Sequence, residues 1–220
     1  MRKLTLLWTA MVDWLFPPKC PFCQQVQEAQ GVCPVCQKTL PWEPQPLQTM
    51  GKLSCASALR YEGLVRESVH RLKFRGARYL AKPMGALMAQ TVVESYPDGF
   101  DVVSWAPVSN KRRRHRGYDQ GQLLAKEMCA LWDVVPQKLL QKHTHTPAQS
   151  GITDSAARRG NVLGVYGLCK DINVAGKRIL LVDDVATTGS TLQECARVLE
   201  EAGAKQVLCI TLAKTHKRGG

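Results

Sequence analysis

Acidic residues are in short supply in this chain. Its 220 residues hold 18 Asp and Glu against 30 Lys and Arg, a formal charge of +12. The deficit favours an acidic partner, either nucleic acid or a phosphorylated ligand, although a plain basic protein has the same balance. Aromatic residues are also few, at 6%, which argues against a surface built from many base-stacking platforms. No apolar run approaches the ~20 residues of a membrane-spanning helix. Disorder is excluded from the other side, because 45% hydrophobic content can bury a core. Of the nine cysteines, Cys55, Cys129, Cys169, Cys195 and Cys209 stand singly within predicted strands and helices. Scattered thiols of that kind imply a reducing, cytoplasmic compartment.

The first sixteen residues open with Arg2 and Lys3 and then turn apolar, as a secretory leader would. Asp13 interrupts the run and no small-residue cleavage site follows. Leu4, Leu7, Trp8, Met11 and Leu15 recur at helical spacing instead, which predicts an amphipathic helix packed on the next module. That module carries Cys20, Cys23, Cys33 and Cys36, a C-x2-C-x9-C-x2-C pattern with prolines inside or beside each pair. The spacing suits four thiolates around one Zn2+; two disulfides are the competing reading. The connecting loop from Gln24 to Gly31 has little positive charge, so the ribbon reads as structural, with zinc supplying folding free energy that so small a unit lacks. Pro41, Pro44 and Pro46 mark Leu40 to Met50 as an extended linker. The expected division is residues 1–46 for helix and ribbon and 47–220 for the main domain, its first strand starting near Leu53.

The main domain is organised around Arg178 to Thr191, RILLVDDVATTGST. Ile179 to Val182 is a short unbroken apolar run, expected as a central parallel strand buried on both faces. From Thr191 onward Leu192, Cys195, Ala196, Leu199 and Ala202 follow helical spacing, with Glu194, Glu200 and Glu201 assigned to the outer face and Gly203 to the stop. The polar residues between strand and helix therefore fall at the carboxyl edge of the sheet, where open α/β folds bind ligands. Thr187, Thr188, Gly189, Ser190 and Thr191 present hydroxyls and backbone N–H groups to a phosphate, whereas an ordinary strand-to-helix turn would need one capping hydroxyl. Asp183 and Asp184 would repel a bare phosphate and suit sugar hydroxyls or a divalent cation. A ribose 5-phosphate satisfies both halves.

Positive charge gathers in two further places. Lys73 and Arg75 end a predicted helix from Glu62 to Phe74, whose inward face is Leu64, Val65, Val69 and Leu72; they either complement the helix dipole or face a polyphosphate. Lys111, Arg112, Arg113, Arg114 and Arg116 form a basic loop between a strand, Asp101 to Ala106, and a helix starting after Gly117 and bearing Leu123, Leu124, Glu127, Met128 and Leu131. Such a loop can face a polyphosphate, or it can be a solvated turn. Between Leu139 and Asn173 the pattern loosens into a polar segment of the kind that forms lids. His143 and His145, alternating with Thr144 and Thr146, read as a solvent-facing strand edge, with zinc binding as the other reading, and no base-reading pocket is legible between Asp133 and Gly151. Leu163 to Leu168 and Gln206 to Leu212 are the remaining strands, and Lys214 to Gly220 is expected to fray.

VDDVATTGST resembles the phosphoribosyl-diphosphate (PRPP) signature of type I phosphoribosyltransferases. Joined to the paired cysteines, LKFRG, WAPV and RGYDQ, it resembles the ComF family over nearly the whole chain. The resemblance implies an α/β fold, a type I phosphoribosyltransferase-like, mainly parallel sheet with helices on both faces and a small N-terminal zinc ribbon. By it Asp183 and Asp184 hold the ribose hydroxyls and act with Arg116 as the catalytic set. Ala186, Thr187, Thr188, Gly189, Ser190 and Thr191 take the 5-phosphate, with Lys73, Arg116 and Gly117 beside the diphosphate and Mg2+ bridging oxygens. PRPP, single-stranded DNA and a helicase of the DNA-uptake machinery are the implied partners. The family's usual RGFNQ is RGYDQ here, so Asp119 either disfavours a fully charged diphosphate or binds the metal. A PRPP-sensing DNA-binding module and a nucleobase-salvage enzyme remain the alternatives.

Overall fold

A computed structural model describes residues 17–50, 53–143 and 164–216. The amphipathic helix expected before Pro17 and the loop residue His145 lie outside that range. In chain order the described elements are α1 (Pro34–Thr39), β1 (Leu47–Met50), β2 (Leu53–Arg60), α2 (Gly63–Phe74), a 3-10 turn (Arg78–Leu80), α3 (Ala81–Ser95), β3 (Val102–Trp105), α4 (Asn110–Arg116), α5 (Gln120–Cys129), β4 (Leu140–Lys142), β5 (Tyr166–Leu168), β6 (Arg178–Ala186), α6 (Ser190–Glu201) and β7 (Gln206–Lys214). The main sheet has five strands in the order β1-β2-β7-β6-β3. All its pairings are parallel except that of β1, which runs antiparallel along the outer edge of β2. β4 and β5 form a separate antiparallel arm.

Period-two alternation divides the core into two layers. Leu180 and Val182 of β6, with Leu208, Ile210 and Leu212 of β7, pack with Leu72, Met84, Met88, Leu124 and Met128 from α2, α3 and α5. Ile179 and Leu181, with Val207 and Cys209, face the other way onto Leu192, Cys195 and Leu199 of α6 and onto Leu140 and Tyr166 of the arm. β6 is therefore buried on both faces, as its unbroken apolar run predicts. Each fully buried Leu or Ile contributes about 1.5–3 kcal/mol to that arrangement.

Several expected boundaries move, each for a local reason. The segment from Leu40 to Met50 is not a free linker: Ser57 N–H donates to Pro46 O, Glu43 N–H to Ala58 O, and Leu47 to Met50 pair with Ala56 to Leu53. Prolines are tolerated there because the strand is an edge. Leu64 is 38% exposed rather than inward-facing. Ser68 takes the buried position and donates its hydroxyl to Pro21 O at 2.8 Å. Leu131 is exposed too, lying beyond the last turn of α5. The tail is ordered through His216: β7 runs to Lys214, Thr215 N–H donates to Ala186 O, and His216 Nε2 meets Glu43 Oε2 at 2.5 Å.

Candidate functional site

β6 continues beyond its apolar run, because β7 goes on pairing with it as far as Lys214. Asp183 and Asp184 consequently sit inside the strand rather than in the turn after it. Alternation then sends them to opposite sides of the sheet end. Asp184, 3% exposed, lies on the α2 side, where Lys73 Nζ meets its Oδ1 at 2.8 Å. Its other oxygen, Oδ2, is buried without a hydrogen-bond partner, an acceptor whose desolvation is uncompensated. Asp183 is half-buried on the α6 side and accepts the Asp184 N–H at 2.8 Å. Burial first, then the Asp184 carboxylate beside it, holds Asp183 well above the usual carboxylate range.

The turn after β6 enters α6 through Gly189, whose φ of 73° is the left-handed conformation that glycine adopts freely. No side chain caps this helix, so the hydroxyls are not spent on an ordinary N-cap. Thr187 and Thr188 are exposed, Thr188 Oγ1 and Ser190 Oγ are 2.7 Å apart, and the loop from Asp183 to Leu192 encloses a small cavity of about 30 Å³. It opens beside a cleft of about 250 Å³ whose lining includes Asp183, Asp184, Thr187, Thr191, Lys73, Arg112 and Arg116. The two halves of the PRPP-like motif thus share one surface.

The basic segment forms a short helix where a loop was expected. Ser109 Oγ accepts the Arg112 N–H at 3.3 Å as N-cap, and Gly117, at φ 77°, ends α4. A helix fans its side chains, so of the cluster only Arg112 and Arg116 line the cleft; Lys111, Arg113 and Arg114 are exposed elsewhere. Arg116 donates to Gln120 Oε1 at 2.8 Å, and its guanidinium lies 4.7 Å from the Phe74 ring centroid. Gly117 is not among the cleft-lining residues; its carbonyl accepts from Arg78 at 3.1 Å. Asp119 is not among the cleft-lining residues. It is buried as the N-cap of α5, with Oδ2 accepting the Val108 N–H at 3.0 Å and Oδ1 the Gln122 N–H at 3.2 Å. Burial raises its pKa while those N–H groups oppose the rise.

The arm adds two residues that sequence reading missed. Lys142 and Tyr166 line the same cleft, with Lys142 Nζ 2.9 Å from the Tyr166 hydroxyl. Burial, then Arg112, lowers the Lys142 pKa. The usable signal was the short pairing of LQK with YGL, hidden by the polar stretch that separates them. Glu194 is a second miss: 4% exposed, it accepts the Gly164 N–H at 2.7 Å and pairs with Arg197 at 2.7 Å, tying α6 to the start of the arm's return strand.

At the other end of the molecule the sulfurs of Cys20, Cys23, Cys33 and Cys36 lie within 4.8 Å of one another, and all four thiols are free. Backbone N–H groups of Cys33 and Cys36 point at Cys20 Sγ and Cys33 Sγ at 3.5 and 3.4 Å. Burial pushes the Cys20 thiol up, but N–H donors from Cys33, Cys23 and Phe22 outweigh it and bring the thiol down to about 7. Four clustered sulfurs with preset amide donors fit a structural Zn2+.

A family profile described as Phosphoribosyl transferase domain matches residues 123–220, and one described as Double zinc ribbon domain matches residues 11–61. The chain is 27% identical over 201 residues to the competence protein ComFC of Bacillus subtilis, spanning 89% of this chain and 78% of that one. It is 29% identical to ComFC of Streptococcus pneumoniae, over 89% and 87% of the two chains. With the DNA utilization protein YhgH of Salmonella typhimurium it shares 28% identity over 89% and 90%. Fold, cleft and cysteine cluster define a type I phosphoribosyltransferase-like protein with an N-terminal zinc ribbon. Over most of its length the chain is similar to the ComFC and YhgH proteins, and it carries a phosphoribosyltransferase domain and a double zinc ribbon domain.

Proposed function

We propose that the cleft binds PRPP with Mg2+ and that the protein handles single-stranded DNA during DNA uptake, in the cytoplasm and beside a helicase partner. The observation that carries the PRPP reading is Asp184: a buried carboxylate oxygen without a partner at the rim of a cleft that also holds the Thr187–Thr191 loop. Ribose hydroxyls supply the donors that oxygen lacks, and a 5-phosphate fits the uncapped start of α6. Arg112, Arg116 and Lys73 face the diphosphate. Magnesium, when bound, offsets the diphosphate charge; Asp183 and Asp184 are the carboxylates available to it. In the transfer reaction of this class the C1–O bond to diphosphate breaks, the electron pair leaves with pyrophosphate, and an acceptor nucleophile bonds C1 while losing its proton to solvent. Here the cations stabilise the leaving oxygens.

The DNA reading is supported by the names of the relatives, competence and DNA utilization proteins, and by the +12 charge. No helix among the described residues is long and apolar enough to cross a membrane. The division into a ribbon unit (residues 1–46) and a transferase-like unit (47–220) belongs to the same proposal. Calorimetric titration of the zinc-loaded protein with PRPP and Mg2+ tests the site. Saturable binding is expected, and the Asp183→Ala, Asp184→Ala double variant loses it while melting as a folded protein; binding that survives in that variant overturns the assignment. Pyrophosphate released on adding single-stranded DNA or a free base reports turnover and names the acceptor.

A further inference from the structure

Beside the cleft, α2 presents a face that neither the PRPP site nor the zinc cluster uses. Gly63, Arg66, Glu67, His70, Arg71 and Arg75 line a groove of about 420 Å³ along it. Arg71 is spent on the fold: its guanidinium donates to Pro21 O and Phe22 O at 3.0 and 2.7 Å and lies 4.0 Å from Glu67. Arg66 and Arg75 are exposed and, among the described residues, have no carboxylate partner. At the end of this row stands Phe74, 55% exposed. Its ring is 4.7 Å from His70 on its own helix and 4.7 Å from the guanidinium of Arg116, a cleft residue. Arg66 and Phe74 are eight residues apart, about 12 Å along the helix axis. The row therefore runs along α2, past Arg71, which holds the ribbon, to Phe74 beside a cleft residue.

We infer that this face is a track for single-stranded nucleic acid, with Arg66 and Arg75 on phosphates and Phe74 as a base platform. The inference rests on the DNA reading above and adds the surface that carries it. Cations alone would attract any polyanion. An exposed ring next to them selects a strand whose bases are free to stack, which a closed duplex does not offer. Tyr79 and Trp42 are exposed as well among the described residues, but Phe74 is the aromatic that ends this row of cations beside Arg116, so it carries most of the stacking.

The test is fluorescence anisotropy of a labelled oligo-dT with the full-length zinc-loaded protein across a salt series. Phe74→Leu is expected to weaken binding about tenfold with little change in salt dependence, since stacking carries no counterion release. Arg66→Gln with Arg75→Gln is expected to reduce the slope of log K against log salt by about 1.4, at about 0.7 per phosphate contact, while its PRPP titration and melting match the parent. Variants that bind oligo-dT as the parent does overturn the track and leave the DNA reading intact. A parent that fails to bind oligo-dT at all removes the DNA reading and the inference with it. Equal losses on a duplex of the same length for Phe74→Leu overturn the stacking role.

Discussion

Glu194 shows how a single carboxylate holds the arm in place. Hydrogen bonding from Arg197 is the largest influence on its pKa and, with the Gly164 N–H, outweighs burial, so the group sits below its ordinary 4.5. A depressed acid stabilises the fold fully above that ordinary value and loses its contribution as pH falls through the lower, folded one. Thermal melts of the parent are therefore expected to drop on acidification below about pH 4.5. Glu194→Gln should melt lower at neutral pH and show a shallower acid limb; an acid limb identical to the parent's would mean that Glu194 is not the group being protonated. Lys73 works differently, since it sits on Asp184 in the cleft where the proposed PRPP site would use both groups. Lys73→Met is expected to weaken PRPP binding, read by the same titration, because the Asp184 carboxylate is left unpaired and the diphosphate loses a cation.

At the scale of elements, the turn between β6 and α6 depends on one backbone conformation. A Cβ at Gly189 would lie 2.7 Å from Met50 Sδ, and its φ of 73° disfavours any L side chain. Gly189→Ala is expected to cost about 1–3 kcal/mol of stability and to weaken phosphate binding, both visible in melts with and without PRPP. Unchanged melting and affinity would show that the loop relaxes freely. The helix α4 was hidden in the sequence for a different reason. Its seven residues are mostly Lys and Arg, with no apolar stripe to mark a helix, and only its Ser109 cap and Gly117 stop announce it. The arm was hidden because its strands have three residues each and pair across a long polar interval.

For the whole molecule the ribbon is an extension of the main core. Cys20, Phe22, Cys33, Cys36 and Leu40 belong to the same buried cluster as Val69, Leu72 and Met84, and Arg71 fastens the Pro21 and Phe22 carbonyls to α2. Removing zinc with a chelator is accordingly expected to lower the melting temperature in one cooperative transition, since structural metal binding is linked to folding. Scanning calorimetry with two separated transitions would instead show that the ribbon folds as an independent unit.

Sequence alone determined the chemistry along the chain: four thiols at zinc spacing, a buried strand ending in two acids, a hydroxyl-rich helix entry and a concentration of arginines before Gly117. These are local patterns, set by 3.6- and two-residue periods and by the conformations glycine permits. Tertiary structure decided which of those residues meet. Strand alternation parted Asp183 from Asp184, and helix rotation kept Arg112 and Arg116 on the cleft while turning Arg113 and Arg114 away. The parallel-sheet connections brought Lys73 to Asp184, 111 positions along the sequence, and antiparallel pairing of the arm set Lys142 opposite Tyr166. No local period encodes such meetings, because they depend on how the sheet orders its strands and on which faces its helices cover.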